Sequence, residues 1–296
     1  MVAVPYLFAS HFFDREGQRL HYLDEGHGEP ILMVHGNPTW SYYYRNLVTA
    51  LRDSHRCIVP DHIGCGLSDK PQPPAYDYSL KSRVDDLTAL LDHLGVRENV
   101  TLIVHDWGGM IGMAWAARHV PAIKRLVILN TAAFHMPKAK RFPLRLWLGR
   151  STRVGAWLIR SRNAFCLHAA HIGMQRQPLS AEVRDWYLQP YDSWANRVAV
   201  LKFVQTIPLE PGDPGYDIVS ETEATLPQFA NTPTLICWGM KDFVFSHEFL
   251  TEWEKRMPHA KVHRFEDCGH YILEDAANEV VPLIQKFVTG SANYSG

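Results

Sequence analysis

The stretch Val100-Thr101-Leu102-Ile103-Val104-His105-Asp106-Trp107-Gly108-Gly109 decides how the rest of the chain is read. Residues 100–104 are mostly apolar and β-branched, the composition of a buried strand, and the paired glycines lead into a run of helical character over 110–118. A strand that turns at once into a helix lifts one side chain above the end of its sheet, and here that side chain is Asp106. Glycines after such a residue let the chain turn sharply and the helix pack close. Val104 stands two positions before Asp106, where glycine is usual in elbows of this kind. One strand, one acid and one Gly-rich turn occur in many doubly wound proteins, so the surrounding chain has to supply the rest of the case.

Around this stretch, short strands and helices alternate. Residues 11–14 and 18–24 read as strands about a turn at Gly17, and 31–34 as a buried strand running into the loop His35-Gly36-Asn37-Pro38-Thr39. Residues 40–52 read as a helix and 57–61 as a strand followed by the loop 64–68. The best-marked helix is 79–94: Ser79 can cap it, Val84, Leu87, Leu90, Leu91 and Leu94 recur at helical spacing, and Gly95 stops it. Strands at 126–129, 234–238 and 261–266 follow, with helices at 247–256 and 276–288. Such alternation predicts an α/β fold with a mostly parallel sheet and helices on both faces. From 134 to 226 it fails, and aromatic, Arg-rich helical stretches replace it. That segment is expected to be a helical cap inserted into a core of 1–133 and 227–296, with 289–296 a loose tail.

Composition narrows the function. The 296 residues suffice for one large domain with an insertion, and the net charge of −1 argues against a nucleic-acid binder. No secretory signal is evident and no apolar run reaches about 18 residues, so a cytoplasmic protein is expected. Cys57, Cys65, Cys166, Cys237 and Cys268 are odd in number and lack CxxC spacing, as for reduced thiols packed as small hydrophobes. No phosphate loop, metal cluster or cofactor motif is visible, and none of these groups is expected. The charge is unevenly spread: between Asp106 and Glu182 lie twelve Lys and Arg and no Asp or Glu. Such asymmetry suggests an anionic partner or surface.

Three chemically active side chains fall at predicted strand ends in the order Asp106, Asp242, His270. Nucleophile, acid, histidine is the order of an α/β-hydrolase fold, whose ligands bind at the carboxyl ends of the strands. An alternative acid would follow the strand after the elbow helix, near Asn130, but no carboxylate occurs from 107 to 181. Asp242 is left to orient His270 and fix its tautomer. A carboxylate nucleophile can displace a leaving group from saturated carbon, giving an ester that His270 can open by activating water. The Asn37 amide and the Trp107 indole N–H are both able to donate to the departing anion, while backbone N–H groups there would suit the oxyanion of the ester step.

His35-Gly36-Asn37-Pro38-Thr39-Trp40, His105-Asp106-Trp107-Gly108-Gly109, Gly239-Met240-Lys241-Asp242 and Gly269-His270 closely resemble haloalkane dehalogenases over nearly the whole chain. With the continuation Trp40-Ser41-Tyr42-Tyr43-Tyr44-Arg45 and the long basic cap, the chain most resembles the β-lactone decarboxylases of bacterial long-chain olefin biosynthesis. The resemblance implies conversion of cis-3-alkyl-4-alkyloxetan-2-ones to cis-alkenes and CO₂, and work beside a β-lactone synthetase in a large assembly. Haloalkane dehalogenase remains the alternative, using the same five residues. An epoxide hydrolase would need paired tyrosine donors, for which Tyr187 and Tyr191 are available at helical spacing. In the cap, Arg141, Arg145, Arg153 and Arg160 alternate with Trp147, Leu148, Trp157 and Leu158, a pattern shared by membrane-surface helices, partner-docking helices and the walls of acyl-chain tunnels.

Overall fold

A computed structural model describes residues 6–290. Its strands are β1 (His11–Arg15), β2 (Gln18–Glu25), β3 (Pro30–Val34), β4 (Arg56–Pro60), β5 (Val100–Asp106), β6 (Ile123–Thr131), β7 (Thr234–Gly239) and β8 (Lys261–Phe265). They form one sheet in the order β1-β2-β4-β3-β5-β6-β7-β8, antiparallel at β1/β2 and β2/β4 and parallel from there on. The stretch from which the sequence was read is the central strand. All of β5 is buried, and it pairs with β3 on one side, Val34 beside Val104, and with β6 on the other, Val104 beside Ile128. A strand covered on both faces has no polar side to present, which is why 100–104 shows an apolar run and not an alternation.

The two faces of the sheet carry separate apolar cores. Leu102 and Val104 point to the face covered by the helices Leu80–His93, Trp107–Arg118 and His247–Arg256. Ile103 points to the other, covered by Arg45–Leu51 and Ala277–Thr289. Between β6 and β7 the described chain is helical without a strand, running from Leu144–Ser151 through Tyr216–Thr225.

Several boundaries differ from the sequence reading. The helix expected over 40–52 is a 3-10 turn, Ser41–Tyr44, followed by an α-helix, Arg45–Leu51. Three successive tyrosines there are all buried, and the tight three-residue turn directs each to a different neighbour. The terminal helix expected over 276–288 is observed as Ala277–Thr289, so Thr289 belongs to it and not to the tail, and a short helix that was not expected, Ile272–Asp275, precedes it. The rest of the expected tail, 291–296, lies outside the described residues. All five cysteines are buried and unpaired.

Candidate active site

The elbow completes its turn in a single residue. Asp106 has φ of 51°, a left-handed conformation that non-glycine residues seldom adopt, and the helix starts at Trp107, earlier than the glycine pair suggested. Gly108 has no room for a Cβ beneath the Val34 carbonyl, and Gly109 none against Thr131. Val104, where glycine is usual, is accommodated from the helix side: a Cβ on Gly112 would lie 2.9 Å from Val104 Cγ1. The space for this close approach is provided by Gly112 on the helix.

The structure brings Asp106, Asp242 and His270 together. Asp242 Oδ2 lies 2.7 Å from His270 Nδ1, and His270 Nε2 lies 3.6 Å from Asp106 Oδ2. Asp242 Oδ1 accepts from the backbone N–H of Val244 and Phe245 at 2.7 and 3.0 Å. Asn130 supplies a further support that the sequence did not reveal: its amide donates to Asp242 Oδ2 at 3.1 Å and exchanges two hydrogen bonds with the Gly239 backbone. The position expected to lack an acid thus carries an amide that holds the acid from β7. His105 was also missed. It is fully buried, stacks on Tyr43 with ring centroids 4.4 Å apart, and its Nε2 lies 2.9 Å from the His270 carbonyl. Burial drives its pKa well down, so His105 serves as a neutral spacer.

Burial raises the Asp106 pKa above the ordinary carboxylate range, against the opposing pull of His270 and of the Asn37 and Trp107 backbone N–H groups. One of these contacts is short: Asn37 N donates to Asp106 Oδ1 at 2.6 Å. Burial alone would lower the His270 pKa, but the charge and hydrogen bond of Asp242, with the charge of Asp106, outweigh it and the net shift is upward.

Asn37, Trp107, Asp106 and His270 all face one cleft enclosing about 1000 Å³ of empty space, part of it open to solvent. Its walls are almost wholly apolar, among them Met110, Phe134, Leu146, Phe165, Val204 and Phe245. Asn37 Nδ2 gives one hydrogen bond to the Val200 carbonyl at 3.2 Å, leaving its second N–H uncommitted, and the Trp107 indole N–H has no partner among the described residues. Tyr187 and Tyr191 stay away from the cleft. Their hydroxyls donate to Glu274 and to the Thr39 carbonyl, so neither reaches the cleft as one of the paired donors that an epoxide hydrolase requires.

An eight-stranded sheet with an acid on the elbow after its central strand, and an acid and a histidine after the last two, defines a class. The chain belongs to the alpha/beta hydrolase fold family, whose model matches residues 29–277. It is 61% identical to the cis-3-alkyl-4-alkyloxetan-2-one decarboxylase of Shewanella oneidensis, over 95% of this chain and 89% of that one. Identity to the protein of the same name from Xanthomonas campestris is 48%, over 93% of each chain, and to haloalkane dehalogenase 2 of Mycobacterium bovis 31%, over 95% and 96%. Among solved structures, haloalkane dehalogenase DatA of Agrobacterium tumefaciens superposes with a TM-score of 0.84 at 23% identity, covering 95% of this chain and 96% of that one, and so shares the fold.

Proposed function

We propose that this protein decarboxylates cis-3-alkyl-4-alkyloxetan-2-ones, β-lactones bearing two alkyl chains, to cis-alkenes and CO₂. The observation that carries this reading is the Asp106 carboxylate in an apolar cleft, its Oδ1 held by the Asn37 N–H and its Oδ2 facing His270 Nε2 at 3.6 Å. Identity of 61% to a decarboxylase of this name supports the substrate class over a haloalkane. The helical segment 134–226 acts as the cap over a core of 1–133 and 227–296, and its inner wall receives the alkyl chains.

Asp106 Oδ2 attacks the oxygen-bearing ring carbon, the ring C–O bond breaks, and the freed carboxylate rests between the Asn37 amide and the Trp107 indole N–H. The bond from the neighbouring carbon to this carboxylate then breaks, its electron pair forms the C=C bond, and the Asp106 carboxylate departs as CO₂ leaves. Inversion at the first carbon followed by anti elimination converts a cis-lactone to a cis-alkene. A stalled alkyl ester has its carbonyl oxygen at the Asn37 and Trp107 backbone N–H groups, and His270, oriented by Asp242, activates water to clear it. The protein serves long-chain olefin biosynthesis beside the β-lactone synthetase that supplies its substrate, and its basic cap supports contact with a membrane surface.

A synthetic cis-dialkyl β-lactone tests the assignment. Wild type is expected to release CO₂ and cis-alkene, Asp106→Ala neither above background, and halide release from 1-bromobutane is expected to be slow beside lactone turnover. Rapid dehalogenation with no action on the lactone overturns the reading in favour of a haloalkane dehalogenase. Turnover in ¹⁸O-water is expected to leave Asp106 unlabelled; label entering it at every cycle would refute the water-free sequence.

A further inference from the structure

We propose that the helical hairpin of Leu144–Ser151 and Arg153–Arg162 lies in the plane of an anionic lipid surface, and that the active-site cleft behind it is filled from that surface. The two helices turn back on each other at Thr152, whose side chain caps the second by accepting from Gly155 N at 2.9 Å. Gly155 has no room for a Cβ against the Leu148 carbonyl, so the hairpin closes backbone to backbone. Its inner face turns Leu146, Gly149 and Ile159 toward the helix Val198–Gln205. The outer face is the opposite of what a solvated helix presents: Leu144 is 77% exposed, Val154 62%, Trp157 52% and Trp147 49%. Large apolar side chains gathered on one exposed face mark a surface that meets something apolar.

Charge selects the occupant. Arg141, Arg145, Arg153 and Arg162 are exposed on or beside this hairpin, no acid occurs between Asp106 and Glu182, and none of the four has a carboxylate partner among the described residues, while Arg160 turns to Gln72 and the Trp194 ring. Arg150 of the same hairpin has one, in Asp213. Trp and Leu set among unneutralised arginines is the make-up of a helix seated at the boundary between lipid headgroups and acyl chains, where Trp fills the interface and Arg meets phosphate. No helix among the described residues is long and apolar enough to cross a membrane, so the contact runs along the surface.

The same elements wall the cleft. Phe142 and Pro143 lead into the hairpin, Leu146 belongs to it and Phe165 follows it; all four line the cleft that has Asp106 and His270 at its base. This half of the inference rests on the lactone decarboxylase reading. A two-chain lactone and its alkene product both partition into acyl chains, so a cleft walled by the docked hairpin takes substrate and returns product without passage through water.

Co-sedimentation of the full chain with vesicles of phosphatidylcholine and phosphatidylglycerol, against phosphatidylcholine alone, tests the docking. Wild type is expected to pellet with the anionic vesicles and to be released by salt. Trp147→Ala with Trp157→Ala is expected to abolish pelleting, and Arg141→Gln, Arg153→Gln and Arg162→Gln together to weaken it about a hundredfold, at roughly fivefold per arginine. Both variants should keep wild-type turnover of a short-chain lactone in solution while losing turnover of a long-chain lactone presented in anionic vesicles. Wild type that ignores anionic vesicles, or binds neutral ones equally, overturns the proposal. So does a wild-type dimer that the tryptophan variant splits on size exclusion, since the occupant is then a second copy. Vesicle binding intact in a protein inactive on every lactone strikes the decarboxylase reading and leaves the docking standing.

Discussion

Asp106 does two jobs that pull against each other. In the proposed reaction it must be ionised to attack carbon, yet it is buried, and burial raises its pKa despite the N–H groups of Asn37 and Trp107. The sign follows directly: below that raised pKa the carboxyl is protonated and cannot act as a nucleophile, so kcat/KM falls as pH drops through it. The acid limb of the lactone pH profile is therefore expected above the ordinary Asp value of about 3.9, and a limb at or below that value would show that burial does not govern the nucleophile. His270 has its pKa raised by Asp242 and Asp106 in spite of burial, and it titrates in the other direction, losing its proton as pH rises. Ring opening by Asp106 needs no base. Lactone turnover should accordingly show no gain through the His270 transition, whereas halide-releasing turnovers, which need neutral His270 to open the ester, should rise through it.

At the scale of elements, the close approach of β5, β3 and the helix Trp107–Arg118 is what holds the elbow in its left-handed turn. The usual strand glycine is missing, and Gly112 of the helix provides the space that Val104 fills. A methyl group on Gly112 would meet Val104 Cγ1 at 2.9 Å, tighter than packed side chains accept. Gly112→Ala is expected to destabilise the fold by about 1–3 kcal/mol, the usual cost of overpacking, with a lowered kcat as the elbow shifts. Adding Val104→Ala removes the clash and should restore much of both; denaturant melts of the two single variants and the double measure the coupling. Strict additivity would show that strand and helix do not trade this space.

Over the whole molecule, the helices between β6 and β7 are joined to the core by a buried strap. The Arg45 guanidinium makes two hydrogen bonds to the Glu274 carboxylate, at 2.5 and 2.8 Å, and the Tyr187 hydroxyl donates to the same group. Arg45 lies at the start of the first α-helix, Glu274 just beyond His270, and Tyr187 on the helix Ala181–Leu188, so one carboxylate ties three distant parts of the chain together. Burial would lower the Arg45 pKa, and Glu274 reverses this and raises it. Removing one partner of a buried pair strands the other charge. Glu274→Gln is expected to cost about 3–5 kcal/mol, read as a fall in Tm. A melting curve unchanged from wild type would show that the strap does not hold these parts together.

Much of this was legible in the order of residues. An apolar β-branched run ending in Asp-Trp-Gly-Gly, repeated strand–helix spacing, and an acid and a histidine at the last two strand ends were enough for the fold, because backbone turns and strand periodicity are local properties, and they singled out as candidates Asn37, Asp106, Trp107 and His270, which share one cleft, and Asp242, which pairs with His270. The same local signals placed the start of the elbow helix a few residues late and merged the 3-10 turn with the helix after it. What the sequence could not disclose were partnerships between residues far apart. Asn130 reads as the end of a strand, yet it supports the acid 112 positions later. Arg83, on the helix Leu80–His93, is buried, with its guanidinium 3.5 Å from the centre of the Phe203 ring. Only the closed chain decided these contacts, along with the apolar cleft, the strap and the exposed tryptophans, because each depends on which surfaces meet after distant elements pack.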